Sequence, residues 1–141
     1  DLFAPAAAHL ANGVALAELG PPLSTDALVR LELPLPVFDD DGVLATMLYV
    51  DSFGNIALNV TRDEVERIGV VPGARVELDV LGQRYYAVTA RTFADARAGE
   101  LILYEDSYRN MSLAVSAGSA AATLRATGGK QVRIRPARTT R

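Results

Sequence analysis

The sequence of 141 residues contains no cysteine, no tryptophan and a single histidine, His9. Without thiols there is no disulfide staple, no iron-sulfur cluster, no zinc finger and no thiol nucleophile. One imidazole cannot supply a zinc site that needs several histidines, and a Ser/His/Asp triad would have to run through His9. His9 sits in Ala-Ala-Ala-His-Leu-Ala, the context of a packing or surface histidine rather than of a catalyst. Apolar runs such as Val43 to Val50 fall far short of the roughly 20 residues of a membrane span. The opening DLFAPAAAHLANG has no basic stretch of the secretory kind. These absences predict a soluble, cytoplasmic protein.

What is present fits one globular domain with an appendage: 50% hydrophobic, 22% charged and 6% aromatic residues. A chain of this length buries about two thirds of its surface on folding, enough for a core without covalent or metal support. The net charge of -3 hides an asymmetry: residues 1 to 106 carry 7 basic and 17 acidic side chains, whereas residues 107 to 141 carry 7 basic and none acidic. The arginines Arg133, Arg135, Arg138 and Arg141 could form a nucleic-acid arm, but no aromatic stands among them to stack a base. The reading preferred here is a solvated strand edge that complements the acidic body, with residues 137–141 as a basic tail.

DLFAPAAAHLANGVALAELG predicts a helix from about Pro5 to a stop at Gly13 or Gly20, and GPPLSTD has linker composition. Residues 1–25 are expected to be the last helix of an upstream domain and its linker. Residues 26–136 are dominated by short β-like runs: LVRLELPL, VFDDDGVLATMLYV with a turn at DDDG, NIALNV, RVELDVLGQRYYAVTARTF around LGQ, ELILYED, MSLAVSA and QVRIRP. Two short helices interrupt them. TRDEVERIG carries a capping box in Thr61 and Glu64 and stops at Gly69, and SAAATLRATGG has Ser119 as N-cap and Gly128 as stop. The predicted fold is mainly β, an antiparallel barrel or sandwich of about seven strands with two short helices.

An internal repeat organises this pattern. YVDSFGNIALNV (49–60) and YEDSYRNMSLAV (104–115) match at Tyr, Asp, Ser, Asn, Leu and Val, with an offset of 55 residues. Each copy is followed by one of the short helices and then by a Gly-led strand, GARVEL or GKQVRI. Such duplication is expected to place the two turns on one rim of a barrel, facing a common ligand. Within five residues Asp-Ser-Phe-Gly-Asn offers a carboxylate, a hydroxyl, an aromatic and a carboxamide, which suits a small polar ligand with a planar ring. The same residues also suit a tight turn that binds nothing, except that no turn demands the central aromatic. Phe93 and Tyr104, on either side of ADARAGE, could form a stacking box for a planar ring. Asp39, Asp40 and Asp41 lack the ligand spacing of a calcium loop and read as a solvated hairpin turn, and TGGK lacks the spacing of a phosphate loop.

FAPAAAHLANG, LYVDSFGNIALN, TF with LYEDSY, and LAVSAGSAA occur in that order. In this the chain resembles, over essentially its whole length, the C-terminal half of the S-adenosyl-L-methionine hydrolases, the hydroxide adenosyltransferases, relatives of fluorinase and chlorinase. The resemblance implies a trimer of subunits with an N-terminal α/β domain and a C-terminal β-barrel, its ligand lying between one barrel and the neighbouring subunit's N-terminal domain. Water or hydroxide would attack the ribose C5' and displace methionine, leaving adenosine. No cofactor beyond the substrate is implied, and neither nucleic acid nor membrane is a partner.

Carried onto this sequence, the resemblance gives Asp51 the methionine ammonium, Asn55 the adenine edge, Phe53 an adenine face and Ser107 the methionine carboxylate. Phe93 and Tyr104 match aromatic positions around the ligand, and the backbone of Ala117 matches an adenine contact. The residue after Ser107 is Tyr108 where the halogenases have Arg, Ala57 stands where they have Trp, and Val115 and Ser116 replace an Arg and an Asn. These departures favour the hydrolase over a chloride- or fluoride-using transferase. The water-preparing residues are implied to lie in the N-terminal domain, so the chain alone is expected to be inactive. A β-barrel interaction module without catalysis is the alternative of a different class.

Overall fold

The computed structural model of the chain describes residues 2–137. It divides into two compact units, residues 1–32 and 33–141. Arg138 and Arg141, and with them most of the expected basic tail, lie outside the described residues.

The first unit holds helix α1 (Phe3–Ala11), the short helix α2 (Leu16–Leu19) and a 3-10 turn at Thr25–Ala27. Pro5 falls in the first turn of α1, where its missing N–H costs nothing, and Gly13 takes φ +87° beyond the end. Of the two expected stops, Gly13 is the one that ends α1, and the separate short helix α2 lies between it and Gly20. His9 is exposed on α1. No described helix is long and apolar enough to cross a membrane.

The expected strand LVRLELPL does not form: residues 28–36 have no strand partner among the described residues, and Val29, Leu31 and Leu35 are exposed. Pro34 and Pro36 remove two ladder donors, so the alternating pattern has no hydrogen bonds to hold it. Asn59 instead clamps this segment, accepting from the Thr46 N–H at 2.6 Å and donating to the Pro34 carbonyl at 2.6 Å.

Among its described residues the second unit has eight strands: β1 (Val37–Asp39), β2 (Gly42–Val50), β3 (Ile56–Thr61), β4 (Arg75–Val80), β5 (Gln83–Thr89), β6 (Leu101–Glu105), β7 (Asn110–Val115) and β8 (Gln131–Pro136). Their order is β1-β2-β3-β7-β6-β5-β4-β8, and β8 pairs back onto β2, so seven strands close into a barrel and β1 is an extra strand on β2. Closure removes the open edges that a sandwich would have to protect. The pairings are antiparallel except β5 with β6, which run parallel through Val88 opposite Ile102 and Thr89 opposite Leu103. A parallel neighbour cannot be reached by a hairpin, so residues 90–100 must cross from one end of the strands to the other.

Alternation fills the barrel. Val43, Ala45 and Met47 of β2, Leu58 and Val60 of β3, Val76, Leu78 and Val80 of β4, Leu113 of β7, and Val132 and Ile134 of β8 point inward and are buried in one core. The two short helices cap it. Helix α3 (Arg62–Arg67) contributes Val65, and Glu64 accepts both the N–H and the hydroxyl of Thr61 at 2.8 Å. Helix α4 (Ala120–Leu124) contributes Ala120 and Leu124, and the Ser119 hydroxyl accepts from the Ala122 N–H at 3.2 Å. Gly69 follows α3 with φ +84° as expected, but α4 ends before Gly128, because Arg125 itself adopts the left-handed conformation with φ 50°. Outside the barrel a second, smaller cluster of Ala90, Ile102 and Ala114 lies beneath the crossover, with Ala96 and Tyr104 packed on it.

Candidate functional site

The repeat and the barrel together build the site. Ala57 of β3 faces Ser112 of β7 across the sheet, and these residues are equivalent positions of the two copies. Tyr49 pairs with Ala57, and its counterpart Tyr104 pairs with Ser112. The sequence repeat is thus a pseudo-two-fold axis through the Ala57–Ser112 pair, with the row Tyr49, Ala57, Ser112, Tyr104 laid across four strands. Because β3 and β7 are antiparallel, the two DS-aromatic turns lie at opposite ends of the pair, not on one rim. They nevertheless flank the same row.

A β-bulge makes this row possible. The register of β2 shifts between Met47, which points into the core, and Tyr49, so that Tyr49 comes to the outer face where strict alternation would send it inward. The two turns are near copies. The Asp51 N–H donates to the Asn55 carbonyl at 2.9 Å, and the Asp106 N–H to that of Asn110 at 2.8 Å. Asp51 Oδ1 accepts the N–H of Phe53 at 2.8 Å and of Asn55 at 2.9 Å; Asp106 Oδ1 accepts those of Tyr108 at 2.8 Å and Asn110 at 3.1 Å. The second carboxylate oxygens differ. Asp51 Oδ2 accepts from the Asn55 carboxamide at 2.8 Å, whereas Asp106 Oδ2 accepts from the buried Ser112 hydroxyl at 2.9 Å.

On this face lies an open pocket of about 580 Å³ that includes Tyr49, Asp51, Asn55, Arg91, Phe93, Tyr104, Asp106, Ser107, Tyr108 and Ser112 in its lining. Beside it a lobe of about 590 Å³ is lined by Asp51, Phe53, Asn55, Phe93, Tyr104, Val115, Ala117 and Gly118. Both lie within the range of small-molecule sites, roughly 300–1,000 Å³. Asp51, Asn55, Phe93 and Tyr104 belong to both lobes, Ser107 and Tyr108 to the first, and Phe53 and Ala117 to the second, so the eight site residues expected from sequence converge here. Phe53 and Tyr108, at equivalent turn positions, are 79% and 76% exposed and free to meet a ligand or a second surface. Ala117 sits at φ 57°, a left-handed conformation uncommon for alanine.

Phe93 and Tyr104 depart from the expected stacking box. Their ring centroids are 5.0 Å apart at 55°, which leaves no slot between them; they form one wall. Sequence reasoning passed over Tyr49, Asp106 and Ser112, although all three occupy positions aligned by the repeat. It also passed over Arg91, for which no local signal exists, because the crossover into a parallel strand is what brings it to the pocket.

The pocket's electrostatics are acidic. Asp51, Glu105 and Asp106 line it, and Glu105 is paired with Arg62 at 3.0 Å. Partial burial works to raise the Asp51 pKa, but hydrogen bonds from the Asn55 N–H and carboxamide and from the Phe53 and Gly54 N–H groups outweigh it and hold the carboxyl below its ordinary 3.8. Burial, then the charges of Asp51 and Asp106, raises the Tyr104 phenol above 10.0. Tyr49 is raised by burial first and by Asp106 next. Both phenols therefore stay protonated hydrogen-bond donors at neutral pH. No group of three or more His, Asp or Glu side chains among the described residues is arranged for a metal ion. The triple-Asp turn is occupied otherwise: Asp39 accepts both contacts of the Arg133 guanidinium at 2.7 and 2.8 Å, and Asp41 is engaged by Arg135 at 2.7 Å. The arginines of β8 thus complement the acidic body, and the turn is an ion-paired rather than a merely solvated one.

The chain is 40% identical over 134 residues to the (R)-S-adenosyl-L-methionine hydrolase of Salinispora tropica, covering 95% of this chain and 48% of that protein. It is 42% identical over 137 residues to the enzyme of the same name from Salinispora arenicola, again covering 95% and 48%. A fluorinase from an Actinoplanes species is 33% identical over 121 residues, 83% of this chain and 41% of that protein. The chain spans about half the length of the curated relatives it matches. Among solved structures, an uncharacterized conserved protein from Thermotoga maritima superposes with a TM-score of 0.79 at 31% identity, over 96% of this chain and 51% of that one. The profile of the SAM hydroxide adenosyltransferase C-terminal domain matches residues 45–133, the segment from β2 to β8 that carries both turns, and the chain belongs to that family.

Proposed function

We propose that this chain is the substrate-binding barrel of an adenosine-forming S-adenosyl-L-methionine hydrolase. The observation that carries the reading is the convergence of the two repeat turns on one two-lobed pocket with a carboxylate, a carboxamide, hydroxyls and aromatic rings. The substrate presents an ammonium, a carboxylate, a sulfonium and an adenine, and each has a complement there. Asp51, ionised and held by its own turn, takes the ammonium. Asn55 keeps its carbonyl oxygen and one N–H for the adenine edge after donating the other to Asp51. Phe53 and the Phe93–Tyr104 wall cover the faces of the base, the Ala117 backbone meets its edge, and Ser107 with Tyr108 meets the amino-acid end.

In this reading water or hydroxide forms the new O–C5' bond while the C5'–S pair leaves with sulfur, and a proton of the water is released. The groups that prepare the water belong to an N-terminal domain, with a neighbouring subunit of a trimer closing the site. The barrel's own part is to hold the substrate so that C5' is presented, and no further cofactor is called for. The greater identity to the hydrolases than to the fluorinases supports water as nucleophile. Product analysis on the full-length protein tests it: adenosine and methionine are expected, and a 5'-halogenated nucleoside formed in chloride or fluoride would replace the hydrolase by a halogenase. Failure to bind adenosine in calorimetry would leave only a non-catalytic barrel.

A further inference from the structure

We propose that Arg91 is the counter-ion of the substrate's α-carboxylate, and hence the residue by which the pocket selects a zwitterionic amino-acid end. The proposal rests on the reading of the site as an S-adenosyl-L-methionine pocket and adds to it a residue on the crossover loop. Among the described residues, Arg91 is the one cation lining a pocket that otherwise presents the carboxylates Asp51, Glu105 and Asp106. Glu105 is paired with Arg62, whereas the hydrogen-bond donors to Asp51 and Asp106 are all uncharged groups. A ligand carboxylate entering that field is repelled unless a positive charge stands beside it, and the hydroxyls of Ser107 and Tyr108 carry none.

Arg91 is built for the task from the backbone outward. Asp95 accepts the N–H groups of both Arg91 and Thr92 at 2.9 Å, and Phe93 packs against Tyr104, so the start of the loop is pinned to the pocket's lip. The guanidinium itself makes no hydrogen bond or ion pair with a described residue; Asp95 feels its charge only from a distance. The arginines of β8, by contrast, are spent on Asp39 and Asp41. A pinned backbone with an unengaged planar fork is the arrangement that reads a carboxylate from two sides.

The test uses the full-length protein saturated with adenosine and compares L-methionine with L-methioninamide, which lacks the negative charge, at about pH 6.5 where both keep their ammonium. Wild type is expected to bind methionine at least about tenfold more tightly than the amide. Arg91→Gln should bring the two within about twofold while leaving adenosine affinity unchanged, and Arg91→Lys should restore part of the preference. A preference that survives intact in Arg91→Gln, or its absence in wild type, overturns the assignment. Failure of wild type to bind adenosine at all sinks the underlying reading instead, and this proposal with it, so the two failures are told apart.

Discussion

Gly54 and Arg109 hold the same place in two copies of one turn, and both have positive φ, +85° and +65°. They are not interchangeable. The Gly54 carbonyl accepts from the Ala121 N–H at 3.0 Å, and a Cβ at Gly54 would collide with the Ser119 hydroxyl and stand 2.7 Å from the Ser119 Cβ. Gly54→Ala is therefore expected to cost about 2–3 kcal/mol in urea unfolding, combining αL strain with the clash. Arg109→Gly should be neutral to within about 1 kcal/mol, because relief of strain offsets the added freedom of the unfolded chain. Asn55→Asp would set a second carboxylate against Asp51, since the present contact is 2.8 Å. One of the pair then has its pKa raised in the folded state, so this variant should lose stability as pH rises from about 4 to 7, read as a widening Tm gap from wild type. Asn55→Ala avoids that repulsion, and it should weaken adenosine binding by about 1–2 kcal/mol; wild-type affinity in a normally folded Asn55→Ala would mean that the carboxamide serves the turn alone. The sign for Asp51 itself is opposite. Its lowered pKa contributes stability that is present above the ordinary 3.8 and lost as pH falls through the folded value, so the gap between wild type and Asp51→Asn should close in acid.

At the scale of elements, the strands, both barrel helices and the repeat are visible in the sequence because local periodicity and caps encode them. Alternation gives the inward faces of β2, β4 and β8, and Thr61, Glu64 and Ser119 mark helix starts that the structure contains. One element was misread and one feature left no local sign, each for a physical reason. LVRLELPL alternates as a strand would, yet a strand is made by its partner's hydrogen bonds, and Pro34 and Pro36 cannot supply their half. The bulge before Tyr49 changes which face a residue occupies without changing residue type, and that depends on register with β3. β1, exposed and paired only with β2, depends on its arginine tethers. Arg133→Gln should speed amide exchange in β1 several-fold, while exchange in the rest of β2 stays unchanged. About 1 M salt should produce part of the same effect in wild type.

For the whole molecule, the compact unit beginning at Leu33 contains the barrel and its core, whereas α1 and α2 have no buried residue and are too short to be stable helices alone. Residues 33–137 expressed alone should unfold in one cooperative transition with a Tm within a few degrees of the full chain, and a peptide of residues 1–32 should show little helicity by circular dichroism. A broad or two-step transition of the shorter fragment would mean that the first unit is needed to complete the barrel. The pseudo-two-fold also makes a statement at this scale: Ala57 is already what Ser112 would become. Ser112→Ala should therefore fold without steric cost, losing about 1 kcal/mol from the Asp106 contact and loosening the turn that carries Ser107 and Tyr108.

By itself the sequence determined the β class, the capping of the short helices and the two DS-aromatic turns, because these rest on local chemistry and on a repeat that can be counted. Only the tertiary structure decided that the sheet closes through β8 and β2, that β5 and β6 run parallel, and that the repeat is a two-fold axis which sets its turns at opposite ends of one row. It alone brought Arg91 to a cluster of carboxylates. Strand pairing joins residues far apart in the chain, and its choice of partner and direction follows from burying one common core rather than from any short run of residues.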